Sequence, residues 1–139
     1  KPPRTLNHSV IVLVPGIHRG IIPALLYAKS IARNVHAVFV EMEPGASQRL
    51  REQWEIWGQG IPLFVLKSYY RELREPLLNY IDTLIREQNL DLLTVVLPEF
   101  ETTKWWHKFL HNQTGFYLKF VLLFKPKVVV TNIRYHLEE

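Results

Sequence analysis

Short, uninterrupted apolar runs recur along this chain, and they constrain its fold more than any other feature. The first run, residues 10–14, does not alternate with polar residues, which is typical of a strand covered on both faces. Further runs of the same character lie at residues 35–40, 62–66, 92–97 and 128–130. The sequence therefore predicts five short strands, the first of them central in its sheet.

Stretches with helical periodicity lie between these runs. Apolar residues recur every three or four positions over residues 21–32, 45–57 and about 75–88, which predicts three amphipathic helices. In the second helix, the apolar stripe predicts that Leu50, Trp54 and Trp57 are buried. The connection over residues 102–124 is longer, and we expect two helical pieces there, divided at His111 and Asn112.

Strict alternation of strands and helices restricts the topology. Strands joined through a helix pair in parallel, and the crossover between them is right-handed. The chain is therefore predicted to be α/β, with a doubly wound, open, parallel, five-stranded sheet and helices on both faces. Residues 8–139 suit one domain, and the proline-containing, basic residues 1–7 are interpreted as a linker from a preceding domain.

Composition argues against several classes of protein. The chain has no cysteine, so it has neither a disulfide framework nor a thiolate metal site. No apolar run approaches the roughly 20 residues that a membrane-spanning helix requires. A net charge of +4 is too small and too dispersed to predict a nucleic-acid partner. No nucleophile, base and acid have catalytic spacing, so we predict no enzyme and assign no catalytic residue.

The loop after the first strand is the first candidate ligand site. In an open doubly wound sheet, ligands bind at the carboxyl ends of the strands, where the strand order reverses. The segment from Pro15 to Gly20 leads directly into a helix, whose free N–H groups and dipole favour an anion, and Arg19 suits a phosphate. Alternatively, the glycines serve tight turns and His18 and Arg19 are solvated. The loop has neither a Walker nor a dinucleotide glycine pattern.

A second polar segment precedes the final predicted helix. It begins at His111 and continues through Asn112, Gln113 and Thr114 to a glycine, which leaves several backbone donors available to a ligand. The alternative is simple capping of the helix by Asn112. The two segments follow the fourth and first strands, so both are candidates for the same site.

Other residues near the strand ends have two interpretations each. A glutamate that ends the second strand, Glu41, suits a ribose hydroxyl, and a pair of carboxylates near phosphates suits Mg²⁺, but glutamates are also common at strand ends. We assign no metal site. Trp105 and Trp106 suit either base stacking or a core. His8 and His36, near strand starts, are interpreted as structural.

Taken together, these segments resemble known families. The repeat of strands and helices resembles the universal stress proteins, which bind ATP or dimerise, although their glycine loop is missing after residues 97–101. A closer resemblance covers the whole chain and is carried by residues 8–20, 97–100, 105–106, 110–114 and 128–132. The chain is similar to the C-terminal cytosolic domain of amino acid-polyamine-organocation superfamily permeases of the KimA potassium-importer type.

This resemblance implies a fold and a function. The sheet would be universal stress protein-like, with strand order 3-2-1-4-5. The domain would lie at the cytoplasmic face of the cell membrane, attached to the transmembrane domain of the same polypeptide, and would form a homodimer. Its ligand would be a nucleotide, cyclic di-AMP, which inhibits potassium uptake in such importers. Two alternatives stay open, namely a structural dimerisation module with no ligand and an ATP- or AMP-binding domain of the universal stress type.

The residues assigned on this basis form two sets. The ligand-binding set is Pro15, Gly16, Ile17, His18, Arg19, Val40, Glu41, His111, Asn112, Gln113 and Thr114. The dimer-edge set, at the end of the fifth strand, is Arg134, Tyr135 and His136. A binding site across a two-fold axis would use the same residues from both subunits, which suits the symmetry of cyclic di-AMP. For the dimer-edge set, the alternative is an exposed strand end.

Overall fold

The computed structural model of the chain describes residues 6–14, 21–41, 44–68, 74–99, 122 and 125–134. Those residues form five strands and three helices. In chain order they are β1 (His8–Leu13), α1 (Ile21–Ile31), β2 (Asn34–Glu41), α2 (Ala46–Trp57), β3 (Leu63–Lys67), α3 (Arg74–Glu87), β4 (Leu92–Glu99) and β5 (Val128–Arg134). The strands pair in parallel in the order β3-β2-β1-β4-β5, so the predicted sheet and its strand order are confirmed.

Two apolar clusters, one on each face of the sheet, explain why β1 has no polar alternation. Val10, Val12 and Val14 belong to the cluster that contains the buried residues of α1 and α2. Ile11 and Leu13 belong to the cluster that contains α3 and Leu122. Successive side chains of a strand point to opposite faces, so a strand covered on both faces must be apolar throughout. The prediction of helices on both faces is confirmed.

The second helix corrects one prediction. Leu50 and Trp54 are buried, as expected, and the Trp54 indole N–H donates to the carbonyl of Ile61 over 2.6 Å. The prediction that Trp57 is buried is wrong, because its side chain is 43% exposed. Trp57 is the last residue of α2, whereas Trp54, one turn earlier, already contacts the following chain at Ile61. Gly58 ends the helix, with its N–H bonded to the Trp54 carbonyl.

The parallel sheet has two ends, which we name by strand direction. The amino pole is the end at which the strands begin, at His8, Asn34, Leu63, Leu92 and Val128. The carboxyl pole is the end at which they finish, at Leu13, Glu41, Lys67, Glu99 and Arg134. None of the helices among the described residues is long and apolar enough to span a membrane.

Candidate ligand site at the switch point

The strand order places a switch point between β1 and β4. These strands are neighbours, with Val12 opposite Val96 near their carboxyl ends. From β1 the chain proceeds through α1 to β2 on one side, and after β4 it reaches β5 on the other side. Loops that leave adjacent strands in opposite directions open a crevice between them, and ligands of such sheets bind there. Both predicted ligand segments follow these two strands.

The described residues fix both ends of the first candidate loop. The Val14 N–H donates to the Val38 carbonyl over 2.8 Å, and the Val14 side chain is 2% exposed. At the other end, Ile21 begins α1 and is fully buried. The intervening Pro15, Gly16, Ile17, His18 and Arg19 lie outside the described residues. The structure therefore fixes the strand and the helix from which this loop departs.

The other predicted ligand and dimer residues are mostly outside the described ranges as well. His111, Asn112, Gln113 and Thr114 are among them, as are Tyr135, His136, Trp105 and Trp106. For Arg134 the backbone is described, and it lies opposite Glu99 at the end of the ladder between β4 and β5. Leu122, in the connection that contains the second segment, is buried in the α3 cluster.

Val40 and Glu41 end β2 at the same pole, and the structure describes both. Val40 is 5% exposed and belongs to the α3 cluster, so its side chain contributes to the core. The Glu41 carboxylate accepts a hydrogen bond from the Ser47 backbone N–H at 2.9 Å. The Glu41 carbonyl also accepts from the Ser68 N–H at 3.0 Å. Glu41 thus connects the end of β2 to α2 and to the residue after β3.

The electrostatics of Glu41 follow from these contacts. Hydrogen bonds from the Ser47 hydroxyl and backbone N–H hold the pKa of the Glu41 carboxyl below its ordinary value, and Lys67 and Arg51 act in the same direction. The cap position of α2 is Gly45, which has φ 82° and no side chain to bond the first helical turn. The Glu41 carboxylate takes over this capping function. Acceptance from a ribose hydroxyl stays a prediction.

At the opposite pole, two histidines lie within hydrogen-bond distance of hydroxyl groups. His36 is 5% exposed, and its Nε2 lies 2.6 Å from the Tyr80 hydroxyl oxygen. Burial lowers the pKa of His36 to about 4, so the imidazole is neutral near pH 7, and burial also raises the pKa of Tyr80. His8 Nε2 lies 2.7 Å from Thr94 Oγ1. These contacts agree with the interpretation of both histidines as structural.

Two concave regions also open at the amino pole. A pocket of about 310 Å³ is lined by His36, Phe64 and Tyr80 among others, and a wider cleft of about 670 Å³ is lined by Lys29, Arg33 and residues 60–62 among others. Sequence reasoning had no signal for either, because their walls come from separate elements. Among the described residues, no group of three His, Asp or Glu side chains is placed to hold a metal ion.

Comparison with known proteins decides the family. The family model described as the KimA potassium transporter C-terminal domain matches residues 6–135. The chain belongs to this family. It is 30% identical over 142 residues to Potassium transporter KimA of Bacillus subtilis (strain 168), an alignment that takes in the whole chain and 23% of that transporter. The chain thus spans about a quarter of the length of this relative, and its resemblance to KimA-type domains is confirmed.

Proposed function

We propose that this domain is a nucleotide-sensing regulatory module of a potassium transporter, with cyclic di-AMP as its ligand. It acts at the cytoplasmic face of the membrane, as a homodimer, on the transmembrane domain of the same polypeptide. The observation that carries the proposal is its membership of the KimA C-terminal domain family. The strand order supports a ligand there, because the two anion-suited segments follow β1 and β4, the strands that flank the switch point.

The chemistry of the proposed ligand matches the residues assigned to it. Cyclic di-AMP carries two phosphates, and the loop from Pro15 to Arg19 offers backbone donors, a helix N-terminus and a guanidinium. The ligand is two-fold symmetric, so a site on a dimer axis would be built from the same residues of both subunits. No covalent step is assigned to any residue, and the ligand acts by binding.

The edge strand β5 supports the dimer. Among the described strands, β5 has one neighbour, β4, so its outer edge offers backbone donors and acceptors to another strand. Val129 is 41% exposed on this strand. Arg134, Tyr135 and His136 at its end would then lie near the partner, within reach of a ligand on the axis.

Calorimetry with cyclic di-AMP, AMP and ATP tests the proposal. We expect cyclic di-AMP to bind most tightly and to raise the melting temperature of the domain by mass action. Tighter binding of ATP or AMP would support the alternative of a universal stress type domain. If none of the three nucleotides binds, the sensing function is wrong.

A structural dimerisation module is the second candidate function. The exposed edge of β5 favours it independently of any ligand. It predicts a dimer whose melting temperature depends on protein concentration and on no nucleotide. Sedimentation equilibrium and thermal unfolding with and without cyclic di-AMP distinguish the two functions.

A further inference from the structure

Asn7, immediately before β1, is bonded to the segment that ends α3 and begins β4. Its side-chain amide donates to the carbonyls of Gln88 and Asn89 at 2.9 and 3.0 Å. Its backbone N–H donates to the Asp91 carboxylate at 2.8 Å. Its carbonyl accepts from the N–H groups of Asp91 and Leu92 at 2.9 and 3.3 Å. We call this set of contacts the Asn7 clasp.

The clasp joins two parts of the chain that are far apart in sequence. Helix C-termini leave carbonyls without intrahelical partners, and a local residue in a left-handed conformation usually helps to satisfy them. Here Asn89 has the left-handed conformation, with φ 50°, yet carbonyls at this terminus are also bonded by Asn7, more than 80 residues earlier. The point at which the chain enters the domain is therefore fixed to the end of α3.

Polar contacts also join α3 to two other elements. The Tyr80 hydroxyl contacts His36 of β2 at 2.6 Å. Asp82 forms a salt bridge with Lys125, which lies in the turn before β5. With the clasp, these contacts tie the helix to the chain entry, to β2 and to the approach to the edge strand.

The helix also reaches the other pole of the domain. At 14 residues, α3 is about 21 Å long, close to the length of the strands it covers. Leu77, near its first turn, lies in one buried cluster with Leu13 and Leu97, which precede the two candidate ligand loops. Packed cores resist continuous deformation, so we expect a displacement at one end of α3 to move the helix as a unit.

We propose that α3 couples the switch point to the chain entry, with Asn7 as the positioning residue that holds the entering chain to the helix. This inference rests on the proposed function, since it describes how a bound nucleotide would act on the preceding transmembrane domain. Binding that shifts α3 would move the clasp and with it the chain that precedes Asn7. The clasp would thus determine how strongly binding changes transport.

Variants of Asn7 in the full-length transporter test this coupling. Asn7→Ala removes the side-chain donors, and Asn7→Asp keeps the shape but replaces the donors by acceptors that face two carbonyls. We expect the cyclic di-AMP dissociation constant to change little, while the fraction of potassium uptake that saturating cyclic di-AMP inhibits falls roughly twofold or more. Asn79→Ala, an exposed asparagine on the same helix, is the matched control and should leave both quantities unchanged.

A second measurement needs no variant and so does not depend on their folding. The amides of Asp91 and Leu92 donate to Asn7, so their hydrogen exchange in the wild-type protein reports on the clasp. We expect saturating cyclic di-AMP to change their exchange rates. Unchanged exchange rates would overturn the coupling. So would Asn7 variants in which bound cyclic di-AMP inhibits potassium uptake as completely as it does in the wild type. A wild-type protein that does not bind the nucleotide would instead overturn the proposed function.

Discussion

The two poles of the sheet contain similar residue types in different situations. At the amino pole, His8 contacts Thr94, His36 contacts Tyr80, and Asn7 holds the end of α3. These groups form hydrogen bonds within the protein. At the carboxyl pole, by contrast, the sequence predicts that the histidine and asparagine of the candidate segments lie in connections that follow β1 and β4, the two strands at the switch point. Position relative to the strand direction, rather than residue type, separates the structural polar groups from the candidate binding groups.

Acidification should produce the largest effect, and it acts on the amino pole. The folded-state pKa of His36 is about 4, below the ordinary value of 6.5, so its contribution to stability is complete above pH 6.5 and is lost as the pH falls through 4. Over this pH range His36 binds a proton in the unfolded chain, whereas the buried imidazole of the folded chain stays neutral. We expect the free energy of unfolding to fall by about 2–3 kcal/mol across this range. Denaturant titrations from pH 7 to pH 4 measure it.

The His36→Gln variant isolates this contribution. It removes the titrating imidazole, so its unfolding free energy should fall less steeply between pH 6.5 and 4. Glu41 also loses its stabilising charge on acidification, but it does so in both proteins and at lower pH, since its pKa is lowered from 4.5. An equal pH dependence of the unfolding free energy in the wild type and the variant would contradict a buried, neutral His36. The amino pole would then no longer be distinguished by a buried histidine with a lowered pKa.

Replacement of Arg19 tests the carboxyl pole. If its guanidinium contacts a phosphate of cyclic di-AMP, Arg19→Ala should weaken binding roughly tenfold to hundredfold, since hydrogen bonds to charged groups contribute about 1.5–3 kcal/mol. Arg33→Ala is the matched control, because Arg33 is an exposed cation at the amino pole. Calorimetry on both variants gives the comparison. Equal losses of affinity would show that only net charge matters, and no loss would remove Arg19 from the site.

The sequence predicted the fold well, because a strand that is buried on both faces must be apolar throughout. Runs such as residues 10–14 and 92–97 predicted strands, the first of them central, and helical periodicity gave α3 to within a residue at each end. The same periodicity failed at Trp57, since it gives the direction of a side chain but not where the helix ends relative to the sheet.

Local sequence patterns did not predict the polar contacts that are formed within each pole. Asn7 and Gln88 are 81 residues apart, and His36 and Tyr80 are 44 apart, so no local spacing signals either pair. The contact between Glu41 and Ser47 spans only six residues. Even so, the sequence did not single out Glu41 as the capping residue, because Glu43 is a nearer upstream carboxylate and the predicted helix began at Gly45, which has no capping side chain.

Glu41 gives the smallest expected effect and the sharpest test of the difference between the poles. It lies at the carboxyl pole, among the predicted ligand residues, yet its carboxylate accepts a hydrogen bond from within the protein, as the groups of the amino pole do. Glu41→Ala removes the capping acceptor of α2 and should lower the free energy of unfolding by about 1 kcal/mol. Glu52→Ala, at an exposed position of the same helix, should change it much less.

Nucleotide affinity of the same variants then separates the two roles of Glu41. A carboxylate has more acceptor sites than the Ser47 N–H and hydroxyl occupy, so capping and ribose recognition are compatible. Loss of stability with unchanged cyclic di-AMP affinity would make Glu41 a structural residue, and the carboxyl pole would then bind through its loops. Loss of both would show that a strand-end carboxylate reaches the ligand while it caps the helix, because Ser47 leaves acceptor sites on the carboxylate free for a ribose hydroxyl.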